Sequence, residues 1–153
     1  MNVQAMLLLL HISSVIVWLG GMFFAYVCLR PAAAEQLDPP LRLRLWRGVF
    51  ARFFVCVWWA VSLLAASGLL MFAHFGFGAA PVNWLLMLAS GSLMIGIYVY
   101  VATGPYPVLA RAVEAGDWKA GGAALNRIRQ LVGVNLLLGL LTIGIAVLGR
   151  SLA

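Results

Sequence analysis

Charged side chains are scarce in this sequence. Only 9% of its 153 residues are Asp, Glu, Lys or Arg, against about a quarter in an ordinary soluble domain. That scarcity excludes a disordered chain and a soluble fold, because neither has enough polar surface to stay hydrated. Acids are rarest: Glu35, Asp38, Glu114 and Asp117 are the four in the chain. None falls inside an apolar run, so a proton-coupled transporter would lack the usual intramembrane carboxylate relay. Cysteine is nearly absent as well. Cys28 and Cys56 form neither a CxxC pair nor a zinc spacing, which excludes a disulfide scaffold and a zinc module and leaves packing thiols as the expectation. No GxSxG, phosphate-binding glycine loop or HExxH occurs. With two histidines, His11 and His74, the chain cannot build the four-histidine, two-haem arrangement of a transmembrane electron wire.

Apolar residues fill the space left by charge. They make up 65% of the chain, and the mean hydropathy is +1.05. A helix needs about 20 apolar residues to cross a bilayer, and four runs of that kind are present: about 3–29, 50–73, 82–101 and 131–148. The first is too long for a signal-peptide core and is preceded by no basic residue, so it reads as a retained helix. The fourth helix is expected to begin earlier than its apolar run, near Ala123. The expected fold is all-α, an integral membrane four-helix bundle forming a single transmembrane domain over residues 1–153.

Basic residues are distributed unevenly along this pattern. Nine of the ten lie in two segments: Arg30, Arg42, Arg44, Arg47 and Arg52 between the first two runs, and Arg111, Lys119, Arg127 and Arg129 between the last two. Only Arg150 lies on the other side. The positive-inside rule puts both long connections in the cytoplasm and both termini in the periplasm, in a bacterial inner membrane. The same rule accounts for a net charge of +6 without nucleic acid. Residues 41–52 (LRLRLWRGVFAR) read as an interfacial lead-in with Trp46 at headgroup depth. Asp117 reads as a helix cap. Arg127, Arg129 and Asn135 read as a cluster meeting lipid phosphates.

Polar side chains within spans usually turn inward. The first span carries His11, Ser14, Trp18 and Gly21 at helical spacing, the second Ser67, Met71 and His74, the third Asn83, Met87, Ser90, Met94 and Tyr98, and the fourth Asn135 and Thr142. His11 stands out within LLLLHISSVIVW. A neutral imidazole tolerates lipid and can ligate a metal or haem iron. Its alternative is a structural bond to Ser13, Ser14 or Asn83. His11 lies about 9 Å below the outer edge at 1.5 Å per residue, and His74 lies nearer the surface on the same side. Met71 and Met87 offer thioethers suited to Cu(I), or simply fill the core. Trp18 and Gly21 are placed to line a flat cofactor or to pack helices.

Several segments resemble the small CopD-like membrane proteins, the copper resistance D domain group: HISSVIVWLGGMFFAYVCLRP, WRGVFARFF, SGLLM and LNRIRQLVGVNLLLGLLTI. The resemblance covers most of the chain apart from the third span. Its most specific part is the pattern of His11, Trp18, Gly20, Gly21 and Met22. The group is similar to the haem-binding bacterial protoporphyrinogen oxidases, which implies a haem-associated role for His11. Those enzymes open their third span with a lysine. Here that stretch reads PVNWLLML, which counts against the oxidase reaction. CopD-like proteins of this size often place a histidine there too. Asn83 and Trp84 stand instead, leaving His74 as a substitute ligand.

Three functions follow as expectations. The first is one haem b in the periplasmic half, held by His11 with His74 or a methionine and lined by Trp18, Gly21 and Met71, exchanging electrons with a quinone or a periplasmic redox partner. The second is a copper-binding or copper-transporting protein using His11, His74, Met71 and Met87. The third is a non-catalytic interaction subunit of the membrane. A homo-oligomer is compatible with all three.

Overall fold

The computed structural model describes residues 2–76 and 80–149, all helix or short connection, with no strand among the described residues. The chain runs α1 (Val3–Phe23), a π-helical turn (Phe24–Leu29), α2 (Arg30–Gln36), α3 (Pro39–Phe75), α4 (Val82–Thr103), α5 (Pro105–Ala115) and α6 (Trp118–Leu148). These make four rods, Val3–Gln36, Pro39–Phe75, Val82–Ala115 and Trp118–Leu148, each long and apolar enough to cross a membrane. The protein is therefore a multi-pass, all-α membrane protein.

Local chemistry sets the ends of the helices. The Asn2 side chain accepts from the Gln4 amide at 3.1 Å and opens α1. Pro39 and Pro105 occupy the first positions of α3 and α5, where a missing N–H costs nothing. Gly76 (φ 91°) ends α3 and Gly116 (φ 70°) ends α5, both at a positive φ that glycine adopts without strain. Asp117 caps α6, its carboxylate accepting from the Ala120 amide at 2.9 Å, as expected from the sequence.

The rods outrun the apolar segments. The first does not stop at residue 29 but continues through the π turn to Gln36. The second begins at Pro39, well before residue 50. At Gly104 the third breaks and resumes as α5. The last opens at Trp118, ahead of Ala123. Thirty-one residues, the shortest rod, span about 46 Å, against a hydrocarbon core of about 30 Å. The surplus turns carry most of the basic residues, so among the described residues the arginines gather at one end of the bundle around the 37–38 and 116–117 connections.

Packing is sparse in the manner of a lipid-solvated bundle. Only 17–28% of the most apolar window of each rod is buried. The core runs through Trp18, Phe50, Phe54, Val57, Tyr98 and Ile128. Trp46 is buried against Phe50, which in turn meets Tyr106 of α5 edge-on. Cys28 and Cys56, expected in the core, are exposed on the apolar surface.

Candidate metal site at the histidine end

Away from the arginines, α1 lies along α3. His11 points across this interface, and its Nδ1 is 3.1 Å from Ser67 Oγ. Gly68 lies beside the imidazole: a Cβ there would stand 3.4 Å from His11 Cε1, in ordinary contact. The Ser67 hydroxyl lies 2.7 Å from the Leu63 carbonyl, one turn back. A hydroxyl has one proton and two lone pairs. The Leu64 carbonyl lies 3.1 Å from the same hydroxyl. With the Ser67 proton on either carbonyl, Oγ would accept from Nδ1–H, a tautomer of the neutral imidazole that would leave the Nε2 lone pair open to a ligand, as where partners outside a metal site orient a ligating histidine.

The sequence places Ser67, Met71 and His74 at i, i+4 and i+7, one face of α3. Met71 is half-buried and sits one turn outward from the serine that holds His11. His74 is exposed at the helix end, two turns or about 10 Å beyond Ser67 along the axis. Thus α3 brings Ser67 to His11, puts Met71 next in line and carries His74 away toward the rim. Met87 belongs to a different interface. It lies on α4, where Ser90 donates to the Met87 carbonyl and meets the Thr142 hydroxyl of α6 at 2.9 Å.

Trp18 and Gly21 serve the middle of the bundle. Trp18 is 4% exposed and stands edge-on to Tyr98, with centroids 6.1 Å apart. Tyr98 in turn donates to the Phe54 carbonyl at 3.0 Å. Gly21 is covered by the Phe53 ring, which a Cβ would overlap, so the space that a flat cofactor would need there is filled by helix packing. Asn135, expected beside the arginines, is instead a core residue. Its amide donates to Met22 Sδ at 3.9 Å, and its buried Oδ1 has no partner among the described residues. A cavity of about 20 Å³ lies beside it, room for one water-sized species.

Of the partners expected for His11, Ser13 is exposed, Ser14 bonds to Leu10 of its own helix at 2.8 Å, and Asn83 faces Gly149. The signal for Ser67 was present in the Ser67–Gly68 pair: a small polar residue followed by a residue that lets another helix come close. Among the described residues no group of three His, Cys, Asp or Glu side chains converges. A metal site here would rest on imidazole and thioether.

A family model described as CopD, copper resistance protein D, matches residues 47–148, about two thirds of the chain. The chain belongs to the CopD family. The match takes in the third span, which the sequence resemblance had left out. It begins after α1, so His11 lies outside it. No curated protein and no solved structure matches.

Proposed function

We propose that this CopD-family membrane protein binds and handles copper as Cu(I) at the end of the bundle opposite the arginines, with His11 Nε2 as the principal ligand. The observation carrying this reading is the His11–Ser67 hydrogen bond: it supports a neutral imidazole whose other nitrogen is open to a ligand inside an apolar bundle. Met71 supplies the nearest thioether on the same face of α3, and His74 serves as an entry ligand at the rim. Neutral nitrogen and soft sulfur favour Cu(I) over harder cations. Met87, on the α4–α6 interface, is a later station rather than part of this site. The basic bias supports a reading with the His11 end in the periplasm and both termini outside, in the inner membrane of a bacterium.

Haem b, the leading expectation from the sequence, has less behind it. The family's description names copper, His74 stands about two turns from the partner of His11, and Phe53 fills the space over Gly21.

Anaerobic titration of detergent-purified protein with Cu(I), in competition with a chromophoric chelator, tests the reading. The parent should take up one Cu(I) per chain, and His11→Ala should weaken binding at least tenfold. Equal affinity in both would remove His11 from the site. Absorption spectra of the oxidised and dithionite-reduced protein test the other cofactor. A Soret band with sharp reduced bands at one haem per chain would replace the copper reading with a cytochrome serving a quinone or a periplasmic partner.

A further inference from the structure

The arginine end holds a cleft of about 350 Å³ that the copper reading does not use. It opens between the π turn with α2, the start of α3 and the start of α6. Arg30, Arg42 and Arg129 line it, with the Asn126 amide. Among the described residues no carboxylate lines it: Glu35 and Asp38 sit in adjoining turns outside the lining, and Glu114 is paired with Arg47. Three guanidinium groups around one space repel each other, and the repulsion grows as water thins toward the bilayer. An anion relieves it, and phosphate suits the planar guanidinium fork.

The local backbone is built around this space. The chain leaves α1 through a π turn, a distortion that recurs at functional sites. Tyr26 of that turn lies over Gly133, where a Cβ would come within 3.1 Å of the ring, and Arg30 stacks on Tyr26 at 5.2 Å. Farther along each helix the lining turns apolar, with Ala25, Phe50 and Val132. Phe50 lies eight residues, about 12 Å, beyond Arg42 toward the membrane interior. A soluble phosphate has no use for that wall, whereas a lipid does.

We propose that the cleft binds an anionic phospholipid, its phosphate held among Arg30, Arg42 and Arg129 and the start of an acyl chain laid along Ala25, Phe50 and Val132. Basic pockets between transmembrane helices hold anionic headgroups in this way.

The test is native mass spectrometry of delipidated protein titrated with phosphatidylglycerol, phosphatidylcholine and inorganic phosphate. One phosphatidylglycerol should bind saturably, at least tenfold tighter than phosphatidylcholine. The double variant Arg42→Gln/Arg129→Gln should lose that preference. Gly122→Leu offers a second route, since a Cβ at Gly122 meets nothing within 4 Å: it fills the cleft without removing charge or straining the helix, and it should block the lipid too. Arg127→Gln, exposed and outside the cleft, should change nothing. Equal binding of both lipids, or an equal loss in Arg127→Gln, overturns the proposal. So does full displacement of the lipid by millimolar inorganic phosphate, which would make the ligand a soluble phosphate compound.

Discussion

In the proposed site Ser67 sets which nitrogen of His11 is available, and its removal separates a ligand from a structural histidine. If Ser67 only anchored a packing residue, Ser67→Ala would cost one ordinary hydrogen bond, about 1 kcal/mol, and leave metal affinity unchanged. If it orients a ligand, removing it should weaken Cu(I) binding by about 10–100-fold while the protein still elutes as a folded species. The same chelator competition reads both. Tyr98→Phe is the matched control: it deletes a buried hydrogen bond to the Phe54 carbonyl, should cost about 0.5–1.5 kcal/mol in a thermal melt, and should leave copper binding intact. His11 was conspicuous in the sequence because an imidazole inside LLLLHISSVIVW has no local reason to be there. Its partner was not, because Ser67 is 56 residues away and which serine faces it depends on how two helices are rotated.

At the scale of elements, two glycines carry distinct predictions. Gly116 closes α5 at φ 70°, and Gly116→Ala should destabilise the α5–α6 corner by about 1–2 kcal/mol, the cost of a left-handed L-residue. Asp117→Ala at the same corner should cost about 1 kcal/mol through the lost cap. Thermal unfolding in detergent checks both. Gly21 works through space rather than conformation: it lets α1 settle under Phe53, so Gly21→Leu should cost about 1–3 kcal/mol by overpacking. Phe53→Ala in the same chain should restore part of that loss. Caps and breaks were readable from Asp117, Gly104 and Pro105, since they depend on neighbouring residues alone. The burial of Trp46 was not. An Arg-rich lead-in looks interfacial in sequence, and only the packing of α3 against its neighbours makes that face part of the core.

For the whole molecule, the decisive quantity is the asymmetry of charge between the two ends. In a Cys28→Ala/Cys56→Ala background, a cysteine at Ala80 should react with a membrane-impermeant maleimide on intact spheroplasts, and one at Lys119 only after permeabilisation. The reverse pattern would invert the proposed orientation and put His11 on the cytoplasmic side. Four spans, their order and the gathering of nine basic residues at two connections follow from the sequence by itself, because lipid demands long apolar helices and each connection must return the chain to one side. Tertiary structure alone decided which polar groups meet. The pairing of His11 with Ser67, the burial of Asn135 beside Met22 and the enclosure of Arg30, Arg42 and Arg129 around one cleft depend on helix rotation and axial offset. In lipid the apolar pattern constrains rotation weakly, since the bilayer accepts nearly every apolar face that the core leaves over.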